Sequence, residues 1–340
     1  MQLPNMMKKT KRWMTCMWFM AAMAGLLITM FMAISFGAKE LNLSTVWAAV
    51  FHYNEAISAH QIIHELRLPR VLGAVFSGMA FAVAGALMQG VTRNPLADSG
   101  ILGVNAGSAF AVALCFAFLP GLSYGGLILF SFAGAALTTV FIVLLGFSQP
   151  GGMTTLRLTI AGSVVAAILH ALSTGVAIYF ELSQDLAFWY AGGVAGVTWE
   201  QLRWFTPIVA VTILWSILMG RSVTFMSLGD ESAVNLGVHV NRVRLLGLTA
   251  AVILAGASVS VAGSIAFVGL VVPHIARRLI GVDYRVLIPF SALLGGILLV
   301  LADFASRMVS PPREFAIGAM VAIVGVPFFL YLSRKERREL

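Results

Sequence analysis

The sequence predicts an all-α polytopic membrane protein with about ten transmembrane helices and both termini in the cytoplasm. Hydrophobic residues make up 59% of the 340-residue chain and charged residues 11%, with a mean hydropathy of +0.93. Soluble domains average about 25% charged residues, so this composition is typical of a membrane protein. From Ser99 to Leu156 there is no Asp, Glu, Lys or Arg. Continuous apolar runs of this kind favour helices over a closed barrel, the other fold that pairs every backbone group in a bilayer.

Ten apolar segments are predicted to be spans, because a helix needs about 20 residues to cross the hydrocarbon core. Pro120 and Gly121 mark the corner between the third and the fourth. The eighth is too short to cross alone, and Pro273 is expected to break its helix, which predicts an interrupted span. The first is longer than the apolar region of a signal peptide and predicts an uncleaved anchor. The ten segments are residues 13–36, 69–90, 100–119, 122–147, 157–180, 203–220, 244–265, 267–280, 286–308 and 314–332.

The basic residues predict the orientation of the chain. With the segment KKTKR inside, sixteen Lys and Arg fall on the inner side and six on the outer side. Inner loops carry the excess of positive charge, so both termini are predicted to be cytoplasmic. Residues 1–340 then form a single transmembrane domain, with outer loops at about 37–68 and 181–202 and an inner loop at about 221–243. The six outer residues are Lys39, Arg67, Arg70, Arg203, Arg307 and Arg313.

Several kinds of site are missing from the sequence. It has no G-x-x-x-x-G-K-[ST] motif, so it is predicted to bind no nucleotide through a P-loop of its own. No H-E-x-x-H, paired-cysteine metal site or nucleophile elbow occurs, and Cys16 and Cys115 are interpreted as packing residues. The net charge of +8 is spread over short loops and tails, which indicates topology rather than nucleic-acid binding. The sequence therefore predicts no catalytic and no metal site.

Few polar residues lie within the spans. Asp303 is the one acidic candidate for ion coupling, but Arg307 follows four residues later and favours a structural ion pair. His60 and His64, in the outer loop, are expected on a solvated helix surface rather than at a metal site. Asn94-Pro95 ends the second span, and Asp98 or Ser99 is expected to cap the following helix.

Six strings, spread in order over nearly the whole chain, resemble the permease subunit of iron-siderophore and vitamin B12 ABC importers, the FecCD or type II importer family. Two departures are Ser99, where many relatives have proline, and Phe315-Ala316, where a Leu-Pro pair is common. The strings are LRLPRVL (66–72), QGVTRNPLADSGILGVNAGS (89–108), LGDESAVNLGV (228–238), GSIAFVGLVVPHIARRLIGVDYRVLIP (263–289), LADFASR (301–307) and EFAIGAMVAIVGVPFFLYL (314–332).

The resemblance implies a type II ABC importer permease fold and a set of partners. A second permease, identical or related, pairs with this one in the bilayer; a cytoplasmic ATPase dimer binds ATP and Mg²⁺; and an extracytoplasmic binding (lipo)protein delivers the ligand. The chain itself is expected to hold no cofactor. The family implies import of a ferric siderophore across the cytoplasmic membrane of a bacterium, with cobalamin or haem as the alternative substrates. An ion-coupled secondary transporter is the competing class, and it would need buried acids that the spans lack.

The resemblance also implies three sets of functional residues. Arginines on the outer rim meet acidic residues of the binding protein, although anchoring to lipid headgroups is an alternative; the matching positions are Arg67, Arg70 and Arg307. The inner loop before the seventh span contacts the ATPases, unless it is an ordinary solvated loop; its central residues are Leu228, Gly229, Glu231, Ala233, Leu236 and Gly237. The cytoplasmic gate at the inner end of the fifth helix matches Thr154, Thr155 and Leu156.

Overall fold

The chain folds into a helical bundle, described by a computed structural model over residues 3–37, 42–98, 100, 103–147, 155–311 and 313–336. A π-helical segment, Ile62–Arg67, joins the third helix to the fourth without a break. The helices within the described residues are α1 (Leu3–Ser35), α2 (Leu43–Phe51), α3 (Ser58–Gln61), α4 (Leu68–Thr92), α5 (Val104–Phe118), α6 (Tyr124–Phe147), α7 (Thr155–Tyr179), α8 (Ser183–Ala191), α9 (Trp199–Ser227), α10 (Asp230–Asn235), α11 (Val240–Ala262), α12 (Val268–Ile280), α13 (Tyr284–Met308) and α14 (Ile317–Glu336).

The helices match the predicted spans. Seven described helices are long and apolar enough to cross a membrane, and two shorter apolar helices, Val104–Phe118 and Ile317–Leu332, join them. The short α12 completes the set of ten apolar helices and corresponds to the eighth predicted span, 267–280. The all-α polytopic fold is confirmed. The seven long segments are Trp13–Ser35, Ser58–Thr92, Gly125–Gly146, Arg157–Tyr179, Trp199–Ser227, Val240–Ala262 and Tyr284–Met308.

The predicted loops contain more helix than the sequence indicated. The outer loop 37–68 holds α2, α3 and the π-helical segment, and the outer loop 181–202 holds α8. Helix α9 begins earlier and ends later than the predicted span 203–220. Its early start has a local cause: the backbone N–H of Thr198 donates to Gln201 Oε1 at 3.1 Å, which satisfies a donor that the helix start leaves unpaired.

Helix α4 forms the centre of the bundle. Most of its apolar stretch is buried, and it packs against α9, α11, α12 and α13. Glycines bring the backbones into contact: a Cβ on Gly78 would lie 2.2 Å from Gly295 O, and a Cβ on Gly85 would lie 1.9 Å from Gly269 O. Since helix association in lipid depends on close packing and interhelical polar contacts, these contacts hold α4 against α13 and α12.

Pro273 lies inside α12 and does not break it, so the predicted break is wrong. A proline cannot donate to the carbonyl four residues earlier, which here belongs to Gly269. Gln89 from α4 supplies the missing donor: its Nε2 lies 3.1 Å from Gly269 O, and its Oε1 accepts from Arg277 Nη2 at 2.7 Å. A side chain from a neighbouring helix thus satisfies the freed carbonyl, as a membrane interior requires.

Two further expectations about local structure are wrong. His60 is 4% exposed rather than solvated, and its Nδ1 accepts from the backbone N–H of Asn54 at 3.1 Å, so the ring closes the turn before α3. Asp98 does not cap α5, whose N-cap is Gly103 at φ 68°. Instead Asp98 Oδ1 lies beside the first turn of α12, 2.6 Å from where a Cβ on Gly269 would be. Ser99, the alternative cap, lies outside the described residues.

Candidate functional site

Two of the predicted outer arginines cap the end of α1. Arg67 Nη1 donates to Ile34 O and, at 3.0 Å, to Ser35 O. Arg307 donates to Phe36 O and Ala33 O, both at 3.1 Å. The last carbonyls of a helix have no intrahelical donor and carry the negative end of its dipole. The two guanidinium groups therefore satisfy these carbonyls with positive charge.

The third arginine, Arg70, is held by two carboxylates. Its Nε and Nη2 lie 2.9 and 2.8 Å from Asp303 Oδ1, and its Nη1 and Nη2 lie 2.8 and 2.9 Å from the two carboxylate oxygens of Glu314. Asp303 is fully buried and also forms an ion pair with Arg307, at 3.1 Å between Oδ2 and Nη2. The predicted ion pair between Asp303 and Arg307 is confirmed, and the structure adds Arg70 to it.

Arg67, Arg70 and Arg307 thus come together at the outer end of α1, α4 and α13, with Asp303 and Glu314. We call these five residues the outer charge cluster. Most of it is enclosed: the side chains of Arg70, Arg307 and Asp303 are 13%, 8% and 1% exposed, whereas that of Glu314 is 43% exposed. The Arg70 guanidinium lowers the pKa of the Glu314 carboxyl below its ordinary value. Glu314 is therefore the group of this cluster most open to the outer face.

A cavity of about 500 Å³ lies next to the cluster. Arg70 and Glu314 line one part of it, while Trp189 from α8 and the glycine-rich turn that follows line another. Gly192 adopts φ 68°, and its N–H donates to Trp189 O at 3.2 Å. Gly193 N donates to Ala262 O at 2.8 Å, which ties this turn to the end of α11. The outer face of the chain therefore carries a recess of mixed polarity.

The predicted inner-loop residues form a short helix, α10, between two glycine turns. Gly229 precedes it at φ 118° and Gly237 follows it at φ 81°, conformations that residues with a Cβ rarely adopt. Gly237 N donates to Val234 O and Val238 N to Ala233 O, both at 2.9 Å. These are the two bonds of a Schellman motif, which fixes where α10 ends.

Helix α10 presents apolar side chains away from the bundle. Ala233 is fully buried against it, but Leu228, Val234 and Leu236 are 61%, 60% and 53% exposed. Glu231 is exposed beside them. Since this segment is an inner loop between two spans, these residues lie outside the hydrocarbon, where exposed apolar groups that cluster mark an interaction surface. We call Leu228, Val234 and Leu236 the α10 patch.

Residues that the sequence analysis did not select hold α10 in place. Asp230 forms ion pairs with Arg244 at 3.1 Å and with Arg93 at 3.4 Å. Arg93 ends α4 at φ 54°, the left-handed conformation, directly before Asn94-Pro95. Proline disfavours a helical conformation in the residue before it, which signals the end of α4, but no local signal predicts the partner of Arg93.

Comparison with known proteins identifies the class of this chain. Residues 25–335 match the FecCD transport family. The chain belongs to the FecCD transport family. The iron(3+)-hydroxamate import system permease protein FhuB of Bacillus subtilis (strain 168) is 51% identical over 91% of this chain and 81% of its own length. The iron-uptake system permease protein FeuB of the same organism is 42% identical over 92% and 93%. A solved metal-chelate type ABC transporter in an inward-facing conformation has a TM-score of 0.82 and 28% identity, and the match covers 94% of this chain and 99% of that one.

The predicted gate of this FecCD chain is described only in part. Thr154 lies outside the described residues, and α7 begins at Thr155, followed by Leu156. Their role stays a prediction. Further along α7, Ile160, Val164 and Ile168 are exposed and succeed one another every four residues, so they share one face. That apolar face is free to contact lipid or a second subunit.

Proposed function

We propose that this FecCD chain is the permease subunit of an ABC importer that moves a ferric siderophore, with ferric hydroxamates as the first substrates to test. The observation that carries the proposal is the 51% identity to an iron(3+)-hydroxamate permease over 91% of the chain. The confirmed helical fold and the absence of a P-loop motif support a conducting subunit with an external source of energy. Cobalamin and haem are the alternative substrates of the same fold.

The α10 patch supports contact with a cytoplasmic ATPase pair. Val234 on α10 is exposed, as are Leu228 and Leu236 beside the two ends of the helix. Glycine turns fix both ends, and Asp230 forms ion pairs with two arginines. Short turns at Gly229 and Gly237 join this apolar protrusion directly to α9 and α11, so movement of the ATPases against it would be passed to these two helices. ATP and Mg²⁺ would bind to the ATPases, and this chain would hold no cofactor.

The outer charge cluster supports docking of an extracytoplasmic binding protein, with Arg67, Arg70 and Arg307 supplying positive charge. In this arrangement Glu314 already occupies the outward edge of Arg70. An acidic group of a partner would therefore compete with Glu314 for the same guanidinium, and charge complementarity would set the register of docking. The 500 Å³ recess beside it is suited to receive a ligand released there.

The remaining parts of the proposal concern assembly. A second permease, identical or related, would pack against the exposed faces of α7 and α14, and the conduit would lie between the two subunits with Thr154, Thr155 and Leu156 at its inner gate. Ile323, Val324 and Leu330 of α14 are more than half exposed, so this helix also has an apolar face that the described residues leave uncovered. The complex would reside in the cytoplasmic membrane of a bacterium.

The substrate is tested by uptake of radioactive iron into cells that lack and then regain this chain, together with its ATPase and binding protein. Ferric hydroxamate uptake should return with the chain, and excess haem or cobalamin should not compete. Uptake that depends on a proton or sodium gradient without the ATPase would overturn the proposal. Competition by haem alone would replace the substrate and keep the transporter class.

The ATPase contact is tested with a matched pair of valines. Val234 on α10 and Val282 in the inner turn between α12 and α13 are 60% and 57% exposed. Val234→Ser should reduce the amount of ATPase that purifies with the chain, whereas Val282→Ser should leave it unchanged. Equal losses in both variants would show that the α10 patch has no special part in the contact.

A further inference from the structure

Helix α9 carries a continuous apolar stripe that nothing within the described chain covers. Trp204, Ile208, Val211, Leu214 and Leu218 follow one another at intervals of three and four residues, and their exposed fractions lie between 43% and 75%. The opposite face of α9 packs on α4, α11 and α13. Since the second permease is proposed to pack on α7 and α14, this stripe on the outside of the bundle is left to face lipid. Arg221 comes three residues after Leu218 and continues the stripe.

The position of Arg221 along α9 corresponds to the inner membrane surface. Trp204 and Arg221 are seventeen residues apart, which in a helix is about 25 Å, slightly less than the hydrocarbon thickness of roughly 30 Å. Tryptophan concentrates at the membrane interface, and arginine concentrates at its cytoplasmic side. The stripe therefore runs from one interface to the other and ends with Arg221 at the level of the inner headgroups.

The surroundings of Arg221 leave its charge available. Its guanidinium carbon lies 5.5 Å from the centre of the Phe225 ring, and none of the described residues forms an ion pair with it. Arg285 lies across a cavity of about 410 Å³ that Arg221, Thr224, Phe225 and Arg285 line. Asp283 neutralises Arg285 through contacts of 2.6 to 3.1 Å, so the net charge of the cavity is that of Arg221.

We propose that this cavity binds the phosphate of an anionic phospholipid from the inner leaflet. Arg221, oriented by the Phe225 ring, would bind the phosphate, and the outward donors of Arg285, which is 61% exposed, would contact the rest of the headgroup. The acyl chains would lie along Leu218 and Leu214. A phospholipid fits better than a free phosphate because the cavity opens at the end of a lipid-covered stripe, and basic pockets between helices on the cytoplasmic side are typical headgroup sites.

The test uses purified full-length chain in detergent, titrated with phosphatidylglycerol or phosphatidylcholine, and native mass spectrometry to count the bound lipid. Arg221→Gln should weaken retention of phosphatidylglycerol roughly fivefold, the effect of one arginine near the membrane surface. Arg242→Gln is the matched control, because Arg242 is an exposed arginine at the inner end of α11. It should retain phosphatidylglycerol like the unchanged chain, and phosphatidylcholine should bind weakly in every case.

Three results would overturn the proposal. Equal losses in Arg221→Gln and Arg242→Gln would mean a general effect of positive charge. Displacement of the lipid by inorganic phosphate at matching concentrations would mean a phosphate site that does not need a lipid. Unchanged lipid retention together with a loss of ATPase binding in Arg221→Gln would assign Arg221 to the ATPase contact. None of these results depends on which iron chelate the transporter carries.

Discussion

Replacement of the buried carboxylate of the outer charge cluster should strongly destabilise the fold. Asp303→Asn keeps the volume of the side chain, so it creates no cavity, but it removes the one negative charge that lies between Arg70 and Arg307. All three side chains are less than 15% exposed. Removal of one partner from a buried ion pair costs about 3–5 kcal/mol, because the remaining charge stays in a medium of low dielectric constant. Here that charge is Arg307, since Arg70 keeps its contacts with Glu314. We therefore expect a loss of that size in the free energy of unfolding, measured for the purified chain by titration with a denaturing detergent.

Glu314 provides the control, because it pairs with the same arginine at the exposed edge. Its side chain is 43% exposed, and exposed ion pairs contribute about 0–1 kcal/mol. Glu314→Gln should accordingly cost less than about 1 kcal/mol in the same assay. If the two variants lose equal stability, burial does not decide the strength of this cluster and the reasoning is refuted. A loss of stability that disappears at high salt in both Asp303→Asn and Glu314→Gln would also refute it, because salt screens buried ion pairs only weakly.

Three further predictions concern packing, the α12 proline and pH. Gly78→Ala should prevent folding, since its Cβ would lie 2.2 Å from Gly295 O. A Cβ at Gly175 would have nothing within 4 Å, so Gly175→Ala should keep its yield of monodisperse protein in size-exclusion chromatography. Equal yields of the two variants would contradict this. Gln89→Leu should lower the free energy of unfolding by about 1–3 kcal/mol, because it leaves Gly269 O unpaired. The loss should be smaller in a Pro273→Ala background, where the backbone N–H of residue 273 becomes available to this carbonyl. A double-mutant cycle that shows no coupling would refute this. Arg70 lowers the pKa of Glu314 from its ordinary 4.5, so the stability that Glu314 contributes is complete above about pH 4.5 and is lost as the pH falls through the lower folded-state pKa. The stability difference between the unchanged chain and Glu314→Gln should therefore disappear in acid, and a difference that grows instead would show that the shift has the opposite sign.

The sequence predicted the spans well because lipid selects for one local property. Each crossing needs about 20 apolar residues, and this requirement can be recognised without knowledge of any neighbour. The eighth segment is shorter than this, so the sequence predicted it only as a short span. The error at Pro273 shows where local reasoning stops, because the donor that replaces its missing N–H belongs to Gln89, more than 180 residues away in the chain. A rule about one helix cannot include a side chain from another.

The inner loop shows the same division at a smaller scale. Gly229 and Gly237 were selected through the resemblance to FecCD permeases, and both adopt positive φ angles that define the ends of α10. Glycine at such positions is a local requirement and therefore visible in the sequence. The ion pairs of Asp230 with Arg93 and Arg244 were not predicted, because each joins different helices. The place of the α10 patch could be predicted, but the ion pairs that join α10 to Arg93 and Arg244 could not.

The outer arginines are an exception to the charge statistics, and the structure gives the physical reason for it. Arg67, Arg70 and Arg307 lie on the side where positive residues are scarce, a placement that docking to a partner would explain on functional grounds. The structure gives each of them a role within the chain: Arg67 and Arg307 satisfy the carbonyls at the end of α1, and Arg70 joins Asp303 to Glu314. These contacts compensate the three positive charges locally, so their placement on the outer side costs little free energy. Most of the other Lys and Arg residues lie on the inner side, as the orientation rule predicts. A docking partner would then meet an assembled cluster rather than three free arginines. For that reason, reversal of Arg67 or Arg70 to glutamate would disrupt the fold as well as docking. Glu314→Gln is the sharper test, because it frees the outward edge of Arg70 while the buried pairs stay intact. With docking at this edge, it should tighten the affinity for the binding protein and change uptake without loss of folded protein.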